Sequence, residues 1–328
     1  METVEINDFI FLLNAYRISS DIKLPFLITE NYYLERASEK QVHVIKEKLI
    51  EHTAYFKQYI AFHEISFTLN QYNENPFRFG KELDNQNWNY YIIASRNIKD
   101  LDQRFDLRVC CHLYNNLLMG PEFSFTSSEI SNPFFDFDPL VLASYYEFLS
   151  LDIMKYNIEI TLSMLQGIGD SYKRLKDLMS NSRESYQLIK MAIYNYYNTS
   201  KTPNQSQYKF LEFMSIFEFL LTEDTNGRGN PISRQLPAKI HLLNNRFSQS
   251  IDLKKYFDNP ETPIKTFIEK LYSLRSDIAH GNIIKFKDSK IESLKNVYTA
   301  KLFANDLLSK TLIHSLIEPK LILDLKKC

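Results

Sequence analysis

From about residue 136 to residue 328, apolar side chains recur at three- and four-residue intervals. A period of 3.6 leaves such a segment little choice but a set of amphipathic helices packed on one another. Asp138-Pro139 reads as an N-cap followed by proline at a first helical position, and Leu142, Tyr145, Tyr146, Leu149 and Ile153 follow on one face. Gly167 and Gly169 are expected to end that helix. A second helix is predicted over about 171–197, and residues 199–204 read as a polar linker. Phe210, Phe213, Met214, Phe217 and Leu221 then mark a strongly apolar helix over 208–221. Turn formers fill 222–231, and a shorter helix is predicted over about 236–247. Thr262-Pro263 repeats the cap-and-proline signal and opens a helix that reaches His280, with Gly281 as its stop. Ser289-Lys-Ile-Glu292 has the form of a capping box and predicts a last long helix through Leu294, Val297, Leu302, Leu308 and Leu316 to Ile317.

Residues 1–130 have a different texture. Short runs rich in β-branched and aromatic residues at 9–13, 26–29, 65–69, 90–94 and 107–113 read as strands. One helix is marked by the capping-box pattern Ser38-Glu-Lys-Gln41, with Val42, Ile45 and Leu49 at helical spacing. The expected architecture is therefore an α+β region over 1–130 followed by an all-α helical bundle over 136–328. The length of 328 residues suits two domains.

The 7 glycines leave neither G-x-x-x-x-G-K-[ST] nor G-x-G-x-x-G, so phosphate cradling by a glycine-rich loop is not expected. No C-x-x-C, HExxH or G-x-S-x-G pattern occurs among the 3 cysteines and 7 histidines, and no metal or cofactor is implied. Asp136 and Asp138 read as helix entry rather than a metal pair, and Tyr194, Tyr196 and Tyr197 as helix packing that could also stack bases. Cys110, Cys111 and Cys328 suit reduced thiols in the cytoplasm. The N-terminus lacks a basic leader and no uncharged apolar stretch approaches the roughly 20 residues of a membrane span, so neither secretion nor membrane partners are expected.

The net charge of −1 conceals a division. Residues 1–169 carry 14 Lys/Arg against 23 Asp/Glu, whereas 170–301 carry 21 against 14. An acidic front and a basic later segment imply different partners, or partners for each other.

The basic segment contains Lys270–Asn282, KLYSLRSDIAHGN, at the end of the helix opened by Thr262. Arg275 and His280 are five residues apart, about 140° of rotation on an ideal helix. A guanidinium can hold a phosphate through two hydrogen bonds. An imidazole titrates near neutrality and can take a proton from a ribose 2′-hydroxyl. Together they are sufficient for RNA cleavage without a metal. Arg275 can equally cap the helix carbonyls or pair with Asp277 or Glu269, and His280 can be a hydrogen-bonded boundary residue.

The run Arg275-Ser276-Asp277-Ile278-Ala279-His280-Gly281, preceded by Ile216-Phe217-Glu218-Phe219-Leu220 and a short intervening helix, resembles the C-terminal HEPN domain of the Apea-like group over about 205–317. The resemblance implies an all-α bundle that forms a homodimer across the motif helix, with two Arg/His pairs in one site. It further implies a metal-independent endoribonuclease, leaving a 2′,3′-cyclic phosphate, of the kind found in toxin–antitoxin and anti-phage abortive systems. Arg275 would hold the phosphate and His280 would be the acid–base group, with RNA as substrate and an antitoxin or regulatory protein as a further partner. Glu218 would either face the site or pair with Arg275. Other members of the group only bind RNA, nucleotides or proteins.

Overall fold

The computed structural model describes residues 8–12, 15–38, 41, 91–96, 101–114, 119–125, 133–136, 158–180, 184–203, 206–223, 231–259, 261–287 and 289–328. The chain divides into two compact units, and among the described residues the division falls between Asp170 and Ser171.

In the first unit the strands are β1 (Asp8–Leu12), β2 (Ala15–Ile18), β3 (Phe26–Thr29), β4 (Tyr32–Arg36), β5 (Tyr91–Ser95), β6 (Met119–Phe125), β7 (Pro133–Asp136) and β8 (Ile158–Ile160). Six of them form a sheet in the order β3-β4-β5-β1-β6-β7, every neighbouring pair antiparallel. β5 is central and buried along its length, consistent with its run of Tyr91, Ile92, Ile93 and Ala94. β2 and β8 pair in parallel as a separate ribbon.

Three expectations fail in this unit. Residues 158–160, inside the helix read from Asp138 to Gly167 and Gly169, form strand β8 instead. Residues 107–112 belong to a helix, α1 (Leu101–His112), rather than a strand, and Leu113 lies in the turn after it. A short apolar run cannot be assigned by pattern alone, and here the apolar stretch continues an already helical segment. Gly167 and Gly169 lie inside α2 (Leu162–Ser180) and do not stop it. Their role is close approach: a Cβ on Gly169 would stand 2.3 Å from the Ile28 carbonyl oxygen, and one on Gly167 would stand 2.5 Å from the Tyr114 ring. The capping box at Ser38 forms as read, the Gln41 amide donating to Ser38 Oγ (3.3 Å) and the Ser38 amide to Gln41 Oε1 (2.8 Å). The strand read at 65–69, the helical positions Val42, Ile45 and Leu49, and residues 138–153 of the helix read from Asp138 to Gly167 lie outside the described residues.

The second unit is helical, so a sheet region followed by helices is what the chain forms. Its helices are the end of α2, α3 (Glu184–Asn198), α4 (Tyr208–Leu221), α5 (Ile232–Asn244), α6 (Ile264–Ala279), α7 (Val297–Ile317) and α8 (Pro319–Lys327). The single helix expected over 171–197 is thus two helices. α4 is central, packed by α3, α5, α6, α7 and α8, and buries Phe210, Phe213, Met214, Phe217, Leu220 and Leu221. Phe257 stacks on Phe267 at 3.9 Å between ring centroids and meets Phe303 edge-on at 5.0 Å, joining α6 to α7. The last long helix starts later than the Ser289 pattern suggests. Glu292–Leu294 is a single 3₁₀ turn, Lys295 takes a φ of 65°, and Asn296 caps α7 by accepting the Thr299 amide at 2.8 Å. Ser289 instead closes a local turn, its hydroxyl donating to the Phe286 carbonyl.

Candidate functional site at the end of α6

The buried face of α6 is Ile264, Phe267, Ile268, Leu271 and Leu274. These positions step along the helix by three or four and anchor it against the core. Arg275 follows the last of them and inherits a half-buried position, with 29% of its side chain exposed. Its Nη2 donates to Glu218 Oε2 at 3.1 Å. Glu218 stands in the last turn of α4, where the negative end of the helix dipole disfavours a carboxylate. Arg275 supplies the opposing charge. This is the Glu218 pairing offered with the resemblance, and neither of the two within α6, to Asp277 or Glu269, that the spacing alone suggested. Only one of the guanidinium's five N–H groups is engaged by this bond. Glu218 Oε1 is buried and has no hydrogen-bond partner among the described residues.

Two lysines complete this end of α4. Lys239 Nζ, from α5, donates to the Leu221 carbonyl at 2.9 Å and to Gln235 Oε1 at 3.0 Å. Lys326 Nζ, from α8, donates to the carbonyls of Phe219 and Thr222. They satisfy carbonyls that a helix end leaves without an intrahelical donor. Burial lowers the pKa of both ammonium groups. Sequence reading missed these caps, because the lysines lie 18 and 107 positions from the carbonyls they serve.

α6 ends in a Schellman arrangement. The Asn282 amide donates to the Asp277 carbonyl (2.9 Å) and the Gly281 amide to the Ile278 carbonyl (3.1 Å), with Gly281 at a φ of +69°. Asn282 Nδ2 adds a bond to Asp277 Oδ1 at 3.1 Å. His280 is the C-cap residue of this turn, with φ −91° and ψ 2°. It is exposed, and its imidazole makes no hydrogen bond among the described residues. Arg275 and His280 therefore share the end of one helix, about 7.5 Å apart along its axis, with no hydrogen bond joining them. One is held by a carboxylate and keeps donors to spare, and the other is open to solvent.

Of the remaining candidates, the two adjacent cysteines and Tyr196 belong to the core. Cys110 and Cys111 are fully buried, and burial raises both thiol pKa values well above the ordinary range, which keeps them protonated and unreactive. Tyr196 is a core residue whose hydroxyl donates to Asn305 Oδ1 at 3.0 Å, which leaves it unavailable for base stacking. Asp136 ends strand β7, so the helix-entry reading does not hold for it, and Asp138 lies outside the described residues. Among the described residues no His, Cys, Asp and Glu side chains gather as a metal site, and no helix is long and apolar enough to cross a membrane.

No family model matches the chain, and the search of the curated proteins and that of the solved structures each return no match.

Proposed function

We propose that the chain is a metal-independent endoribonuclease of the HEPN type, with its site at the end of α6. The observation that carries this reading is the pairing at that end of an exposed, unengaged imidazole, His280, with a guanidinium, Arg275, whose position a carboxylate fixes while most of its donors remain open. The positive balance of residues 170–301 supports a polyanionic substrate.

In this mechanism His280 removes the proton of a ribose 2′-hydroxyl. The 2′-oxygen attacks the adjacent phosphorus as the bond from phosphorus to the 5′-oxygen breaks. The departing 5′-oxygen takes a proton, leaving a 5′-hydroxyl and a 2′,3′-cyclic phosphate. Arg275 stabilises the charge that gathers on the phosphoryl oxygens. A homodimer across α6 brings a second Arg275 and His280, so that one imidazole acts as base and the other as acid. Such an enzyme suits a toxin or an abortive anti-phage defence in the cytoplasm, held in check by an antitoxin or regulatory protein.

A second reading has one observation in its favour. The bond between Arg275 and Glu218 is also what a purely structural arginine makes, and it suits an inactive HEPN dimer that binds RNA, a nucleotide or a protein. Incubating the purified protein with RNA in EDTA separates the two. The ribonuclease reading expects cleavage by the wild type and a loss of about 10²-fold or more in His280→Ala. Salt-sensitive RNA binding with the RNA left intact would establish the second reading instead.

A further inference from the structure

Beyond Gly281, residues 282–287 belong to neither a helix nor a strand. Along residues 283–287 burial alternates: Ile283, Lys285 and Lys287 are exposed, while Ile284 and Phe286 are half-buried. That is the period of an extended chain lying on a surface with one face down. Both ends are tied. Asn282 is bonded to Asp277 by its amide and its side chain, and Ser289 Oγ donates to the Phe286 carbonyl at 2.9 Å. Lys270 of α6 donates to Ser293 Oγ at 2.6 Å and holds the following turn to the same helix. Between the ties, the amides of residues 283–287 donate to no backbone carbonyl among the described residues.

The upper face of this strap therefore offers, in order from His280, a side chain that is 85% exposed and apolar, Ile283, then two ammonium groups, Lys285 and Lys287. Neither lysine has a hydrogen bond or ion pair among the described residues. In an extended chain, residues two apart stand about 6.6 Å apart along the strand. Exposed lysines on such an edge oppose pairing with another strand. Neighbouring cations are instead what the phosphates of a single-stranded nucleic acid bind, and the aliphatic side chain beside them offers van der Waals contact, without stacking, to a base or ribose.

We propose that residues 282–287 track the backbone of single-stranded RNA, with Lys285 and Lys287 each neutralising one phosphate and the strand passing His280. This rests on the ribonuclease reading and assigns it the element that places substrate over the site.

The test is binding of a short single-stranded 2′-O-methyl oligoribonucleotide, which lacks the attacking hydroxyl, followed by fluorescence anisotropy across a salt series. Cleavage of unmodified RNA is measured on the same proteins. K285A/K287A is compared with wild type and with K265A/K320A, which removes two exposed lysines elsewhere in the unit. The proposal expects the slope of log affinity against log salt to become shallower by about 1.4 in K285A/K287A. Equivalently, the loss of affinity between roughly 50 and 200 mM salt shrinks by about sevenfold. K265A/K320A should retain the wild-type slope. If wild type cleaves RNA and the two double variants share one slope, the strap assignment is overturned and the ribonuclease reading stands. If wild type neither binds the oligonucleotide nor cleaves RNA, both are overturned.

Discussion

Arg275 contributes to stability as well as to the proposed chemistry. Removing it leaves Glu218, with one carboxylate oxygen already buried and without a partner among the described residues, in the last turn of α4 without its counter-charge. Arg275→Ala is expected to lower the unfolding free energy by about 1–2 kcal/mol in urea titration, the partial exposure of both side chains keeping the cost below that of a fully buried pair. Gly281 is a simpler case. Its φ of +69° lies in the left-handed region, and nothing stands within 4 Å of a Cβ placed there. Gly281→Ala should therefore cost about 1 kcal/mol through backbone conformation alone. His314 has a pH signature. Burial lowers its pKa, with Glu318 opposing that from 3.5 Å and Arg246, itself bonded to Glu318, adding to it. A histidine with a depressed folded pKa takes up protons more readily when unfolded, so stability falls as pH drops below about 6.5. Glu318 is held low by Arg246, and its contribution is lost further into acid. His314→Phe, which keeps a ring against Phe247, should flatten the first decline and leave the second, as read by urea unfolding at a series of pH values.

At the scale of elements, the glycines of α2 show what patterning can and cannot reveal. A glycine in a helix interior costs about 1 kcal/mol relative to alanine, so Gly169→Ala would stabilise an open helix. Here a methyl group would stand 2.3 Å from a backbone carbonyl, and backbone cannot move aside as a flexible side chain can. Gly169→Ala is therefore expected to destabilise the first unit, with a measurable drop in its thermal midpoint, because β3 must shift. The helix at 208–221 and the one ending at His280 were legible, since each has a strong apolar period bounded by local signals. α1 was not, because Leu107, Val109, Cys110, Cys111 and Leu113 form a short apolar run that suits either structure. The start of α7 was displaced because Ser289 and Glu292 matched a capping box while Asn296, just ahead of the helix, made the cap that counts. At the candidate site Arg275, His280 and Gly281 could be read in sequence as one motif. The lysine caps on α4 could not, since long-range contacts leave no local spacing.

At the scale of the molecule, the near-neutral total is the average of an acidic and a basic region, and the basic one contains α6 and the residues that follow it. The sheet unit carries most of the acidic excess, as expected if the two units serve different partners. The central claim is that RNA is cut by its own 2′-hydroxyl under the action of His280 and Arg275. The most direct measurement is the chemistry of the cut ends. Wild type, Arg275→Ala and His280→Ala are incubated with RNA in EDTA, and the fragments are resolved by mass spectrometry. The account expects 2′,3′-cyclic phosphate and 5′-hydroxyl termini from wild type, and at most about one-hundredth of that yield from His280→Ala. Intact RNA in the wild-type reaction, 5′-phosphate termini, or undiminished cleavage by His280→Ala would contradict it.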